Sequence, residues 1–167
     1  MCKRAPGKTS RHHAFNDLIA RAFSSAGLPV TKEPLGLFRS DVPITLVPWS
    51  SGKALCWDVT VTCPLADSYI NAAAREPGAA AELADSRKEE KYADLDGSYT
   101  FEPISIETLG VFNKSARQLL CDLGRKISEN TGEVRETSFL FQRCSVLVQR
   151  FNAILLHDSL PANDCTD

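Results

Sequence analysis

Asp58 stands inside the apolar run Ala54-Leu55-Cys56-Trp57-Asp58-Val59, where a buried carboxylate is costly unless a partner or a metal ion compensates it. Two readings are open: a hydrogen-bonded structural aspartate, or a ligand for a divalent cation. Asp41 lies just before the preceding apolar segment. A hairpin with strands about 4.8 Å apart would set the two acids side by side. Hard oxygen donors suit Mg2+ or Mn2+, which polarises a phosphate and supplies a hydroxide for attack on phosphorus. Downstream, the stripe Ala80, Leu83, Ala84, Lys88, Lys91, Tyr92, Leu95 carries two lysines among apolar side chains. One of them would orient a water or stabilise negative charge on a phosphate. The alternative has both stems reaching out to solvent. Glu33 and Glu107 are further oxygen candidates at the sheet edge, although exposed strand glutamates are commoner than ligands. His12, His13 and His157 show no triad or cluster spacing, so they read as surface or helix-capping residues.

The elements around these residues follow from periodicity. Phe15, Leu18, Ile19, Ala22, Phe23 and Ala26 recur at three- and four-residue spacing, which predicts a helix over 12–26, with Ser10 as a cap and Gly27 as its stop. Short strands are expected at Leu28–Pro34 and Ile44–Trp49, and a longer one at Ala54–Thr62. The turn Ser50-Ser51-Gly52-Lys53 is short enough to join the last two as an antiparallel hairpin. Alternation then puts Cys56, Asp58 and Thr60 on one face. Residues 68–95 read as helical but broken at Arg75-Glu76-Pro77-Gly78, and 100–109 as a further strand. Leu119, Leu120, Leu123 and Ile127 mark one helix ending at Gly132. Leu140, Cys144, Leu147, Val148, Phe151, Ile154 and Leu155 mark a last, well-buried one. The expected fold class is α/β, a mixed central sheet flanked by helices, in one domain over 1–160 with a disordered tail at 161–167.

The 167 residues, 43% hydrophobic and 24% charged, fall in the ordinary globular class. No run approaches the roughly 20 apolar residues of a spanning helix, which predicts an intracellular protein with no membrane partner. The six cysteines form no C-x-x-C pair, arguing for free thiols over zinc or disulfides. A net charge of −2 gives no overall basic field, so any contact with nucleic acid must be local. Lys3, Arg4, Lys8 and Arg11 form one such cluster, either an arm for phosphates or a solvated terminus. No glycine-rich phosphate loop is present.

Asp58-Val59-Thr60 on an apolar strand, then Arg87-Lys88-Glu89-Glu90-Lys91-Tyr92, then Phe101-Glu102-Pro103-Ile104 through Glu107-Thr108-Leu109-Gly110, together resemble the restriction-endonuclease-like domain. More closely, the chain resembles the segment that follows the reverse transcriptase in animal retroelement polyproteins. His12-His13-Ala14-Phe15-Asn16-Asp17 and Gln142-Arg143 through Gln149-Arg150-Phe151-Asn152-Ala153 extend the likeness over nearly the whole chain. The resemblance implies magnesium-dependent nicking of DNA, in the nucleus or cytoplasm. Its implied partners are DNA or an RNA–DNA hybrid, and a reverse transcriptase domain of the same polyprotein. Asp58 takes the place of the strand acid, while Thr60 stands where a lysine is usual, so the lysine comes from the helix. Lys91 is the first choice and Lys88 the second, with Asp58, Asp41 and Glu33 as the metal set. The chain departs from the family pattern in one place. Ser40-Asp41-Val42-Pro43 precede Ile44 where the family reads Arg-Pro-Asp-Gly, and the expected aspartate falls on Val42. A one-residue shift turns a strand side chain to the other face, so the expectation is a copy with weakened or lost hydrolysis. The competing reading is a non-catalytic nucleic-acid-binding or assembly module.

Overall fold

Helix α1 (Pro6–Ser25) opens on proline at its first position, where a missing N–H leaves nothing unpaired and the fixed φ suits the helix. Ser10 therefore lies inside the helix and does not cap it. Gly27, with φ 75°, ends the turn that follows. The computed structural model describes residues 6–32, 45–50, 52–93 and 99–160. Asp41, Glu33 and the tail 161–167 lie outside the described residues.

Strand β1 (Thr31–Lys32) is shorter than expected: Leu28–Val30 are not in a strand. β2 (Thr45–Ser50) and β3 (Lys53–Thr62) pair antiparallel around a turn at Gly52, whose φ of 73° favours glycine. Two short helical pieces of chain then cross over the sheet: α2 (Ile70–Ala73) and α3 (Ala79–Lys91), separated at Pro77-Gly78 as the sequence predicts. They deliver β4 (Tyr99–Glu107) parallel to β3, in register from Ala54↔Tyr99 to Thr62↔Glu107. The sheet order is β1-β2-β3-β4, which makes it a mixed sheet flanked by helices. α4 (Lys114–Thr131) ends at Gly132 and α5 (Glu136–His157) completes the chain.

β3 is buried along most of its length. On one face Trp57 packs against Phe23 of α1, ring centroids 4.8 Å apart. Phe15, Ile19, Leu120, Leu123, Ile127, Leu140 and Val148 continue that core as one contiguous cluster. α4 and α5 cross closely because Gly124 has no side chain: a Cβ there would stand 2.6 Å from the Thr137 Cα. α3 covers the other face of the sheet and meets it with the small side chains Ala80, Ala81 and Ala84. Among the described residues no helix is long and apolar enough to cross a membrane. Among the described residues Cys56, Cys63, Cys121 and Cys144 are free thiols.

Candidate functional site

The Asp58 side chain has no solvent exposure, and α3 supplies its partner: Lys88 Nζ donates to Asp58 Oδ2. Only 21% of the Lys88 side chain is exposed, so the pair is held mostly out of water. Burial, and after it the nearby Lys91, pushes the Lys88 ammonium down to about 8. Lys91, the first choice from sequence, does not reach the carboxylate. It is exposed and sits over the Tyr92 ring at 5.2 Å. Three residues along a helix leave a side chain only about 60° round and one turn further on, and Lys91, the last residue of α3, stands exposed beyond the turn that brings Lys88 onto β3. The buried stripe of α3 is accordingly Ala80, Ala81, Ala84 and Asp85, displaced by about one position from the expected one.

The other Asp58 oxygen, Oδ1, is buried without a hydrogen-bond partner. His12 Nε2 lies 3.6 Å from it, too far for a good hydrogen bond. The sheet edge explains how a helix α1 side chain arrives here. The Thr62 carbonyl accepts from Thr108 N at 2.8 Å on the β4 side, so the alternate carbonyls of Val59 and Val61 face the opposite edge. The described β2 pairs end at Thr45↔Trp57. Beyond that point His12 Nδ1 meets the Val59 carbonyl at 2.8 Å and Arg11 Nη2 donates to Val61 O at 3.2 Å. Because a carbonyl only accepts, Nδ1 carries the proton and Nε2 presents its lone pair. Asn16 Nδ2 stands 3.0 Å from that nitrogen. Burial lowers the His12 pKa, the Val59 contact opposes this, and Lys88 and His13 lower it further.

Several expectations change here. His12 belongs to the Asp58 site and is neither a cap nor a surface residue. Arg11 is 8% exposed and tied to β3, so it is not part of a phosphate-seeking arm. Glu107 is buried, and its Oε1 accepts from Ala80 N at 3.1 Å in the first turn of α3. It is a structural acceptor for a helix N-terminus, where free N–H groups favour a carboxylate. His13 is exposed, with its ring 5.6 Å from that of His12, and His157 is exposed as well, so both lie at the surface as expected.

Asp85, which the sequence pattern passes over, is a third buried carboxylate beside Asp58 and Glu107, near Asn113 at the outer edge of β4. Asn113 straps that edge by accepting from Ser105 N at 2.9 Å and donating to Pro103 O at 3.3 Å. Asp85 is 8% exposed and its Oδ1 lacks a hydrogen-bond partner. Burial, and then Glu89, raises its carboxyl to about 6, with Glu102 and Glu82 adding to the rise and Asn113 opposing it. A carboxyl with a raised folded-state pKa binds more protons folded than unfolded, so stability is lost as pH rises from about 4 through 6. Asp85→Asn is expected to be near neutral at pH 4 and to stabilise the fold by about 2 kcal/mol at pH 7. Thermal melts of both proteins across that range check this.

Among the described residues no three His, Cys, Asp or Glu side chains converge as a metal cluster. No family model matches this chain, and no curated protein matches it significantly.

Proposed function

We propose that the chain is a nuclease-type domain of the restriction-endonuclease-like kind, of retroelement origin, that hydrolyses DNA phosphodiesters with a divalent cation. The observation that carries this reading is the Asp58–Lys88 pair: a fully buried strand carboxylate met by a lysine from the following helix. That is the arrangement the resemblance implies when the strand lysine is replaced, here by Thr60. The residues fit a cation in one respect. Asp58 Oδ1 is a buried oxygen with no donor, while Oδ2 is held by Lys88. A bound Mg2+ or Mn2+ supplies Lewis-acid polarisation of a phosphate and a hydroxide at neutral pH. Lys88 contributes a cation in a water-poor site, where its attraction for a phosphate oxygen is stronger than at the surface. The exposed Lys91 and Arg87 on the same helix offer contacts to flanking phosphates that position the strand without reading its sequence. The natural partners under this reading are DNA or an RNA–DNA hybrid and a reverse transcriptase domain of the same polyprotein, in the nucleus or cytoplasm.

A second reading has its own support. With no three-donor cluster among the described residues, the fold also suits a non-catalytic nucleic-acid-binding or assembly module. Incubation of supercoiled plasmid with the protein and Mg2+ or Mn2+ separates the two. The nuclease reading predicts accumulation of nicked circles, and a rate about 100-fold lower for Asp58→Asn. A folded protein that retards DNA on a gel but never nicks it supports the module.

A further inference from the structure

α5 buries Leu140, Cys144, Val148 and Phe151, and beside that stripe it leaves a second one open. A groove of about 620 Å3 lies there between α1 and α5. Its lining recurs at three- and four-residue spacing, from Ala14 to Arg21 on α1 and from Phe139 to Arg150 on α5, so one stripe of each helix faces it. At 1.5 Å per residue the α5 wall is about 16 Å long, or about three turns. The groove shares no residue with the Asp58 site.

Its lining is apolar in the middle and basic around it. Leu18 is buried, Phe139 and Leu147 are half-buried, and Val146 is 68% exposed. The chain as a whole carries a net charge of −2, yet here the sign reverses. Arg21 on one wall and Arg143 and Arg150 on the other stand exposed, against the single acid Asp17. Glu136 meets Arg143 at 3.1 Å, which leaves Arg21 and Arg150 to set most of the local field. We propose that this groove docks an amphipathic helix of a partner polypeptide, with acidic residues on both sides of its apolar edge.

Two parallel walls with an apolar floor suit a third helix. Such a guest anchors residues at i, i+3, i+4 and i+7 between its hosts and leaves its flanks over the rims. About three turns match the length of the α5 wall, with the apolar edge over Phe139, Val146 and Leu147. Acids on the flanks then face arginines on both walls, whose planar guanidinium groups pair well with carboxylates. The covered apolar centre supplies most of the affinity, while the rim charges set partner choice and salt dependence. Two other occupants fit less well. Nucleic acid backbone has no use for an exposed aliphatic centre, and Asp17 repels it. A second copy of this chain meeting through the same groove would bring two basic patches together.

The probe is a panel of fluorescein-labelled helical peptides of about four turns, with Leu, Ile or Phe along one edge and Glu on both flanks. A matched panel carries Lys in place of Glu. Anisotropy titrations with the whole chain are expected to show saturable binding of at least one acidic peptide, weakened by salt, and at least tenfold weaker binding of its lysine counterpart. Val146→Asp, and the pair Arg21→Glu with Arg150→Glu, should each weaken the acidic peptide at least tenfold. All three positions are exposed, so thermal melts should match the wild type. The doubly substituted chain should in turn prefer the lysine peptide, a reversal that a loss of folding does not produce. Failure of every acidic peptide to bind overturns the proposal, as does equal affinity for the two panels or binding that survives Val146→Asp. A labelled DNA duplex held through Arg21 and Arg150 but indifferent to Val146→Asp gives the groove to nucleic acid and overturns it too. So does a dimer in sedimentation that Val146→Asp dissociates, because the occupant is then a second copy.

Discussion

Lys88→Ala is expected to lower the stability of the fold by about 3–5 kcal/mol, the usual cost of leaving one partner of a buried ion pair uncompensated. The Asp58 carboxylate has no exposure of its own and no second donor within hydrogen-bond distance of Oδ1. With the lysine gone, neither oxygen has a hydrogen-bond donor, and α3 offers no substitute because its other buried residues are Ala80, Ala81, Ala84 and the acid Asp85. The effect is asymmetric. Asp58→Asn removes the charge that needs compensation, and Lys88, at 21% exposure, is able to reach solvent. Its cost should therefore be the smaller of the two. The double variant should be well short of the sum, because Lys88→Ala has little left to uncover once position 58 is neutral. Chemical denaturation of the four proteins checks this. Additive effects would mean that the two side chains do not depend on each other.

Trp57→Ala is expected to cost about 3–5 kcal/mol as well, for a different reason: it empties the centre of the core. Trp57 has no solvent exposure and stacks against Phe23, which in turn meets Trp49 edge-on at 5.5 Å. Its indole Nε1 is buried without a hydrogen-bond partner. Trp57→Phe should thus be much milder than Trp57→Ala, since it removes an unpaired N–H along with part of the ring and leaves an aromatic face for Phe23. Denaturation midpoints of the two variants give the ordering, and equal losses would contradict the packing account.

The elements that a strong apolar period marks were legible in the sequence. β3 was, because β-branched and aromatic residues fill it. α4 and α5 were, because each carries a single apolar stripe, and the break at Pro77-Gly78 was, because proline and glycine end helices. Placement across the fold was less legible. His12 reads as a surface residue because its acceptor, the Val59 carbonyl, is 47 positions away. That carbonyl is open to a side chain only because it faces the sheet edge away from β4. Lys88 and Lys91 are alike in type and near in sequence, and only the register of α3 on the sheet distinguishes them. Asp85 has the composition of a solvated helix face. Its burial follows from where the β4 edge and Asn113 lie, which local sequence does not encode. Asp41 and Glu33, the remaining acids in the expected metal set, lie outside the described residues.

The most direct test of the central claim compares the two lysines. Nicking of supercoiled plasmid would be followed with Mn2+ or Mg2+ for the wild type, Lys88→Gln and Lys91→Gln, each at a temperature where melts show it folded. The account predicts that Lys88→Gln loses about 100-fold or more in rate, as expected for removal of a preorganised charge, while Lys91→Gln stays within a few-fold of the wild type. Nicking that survives in Lys88→Gln, or disappears in Lys91→Gln alone, would contradict it.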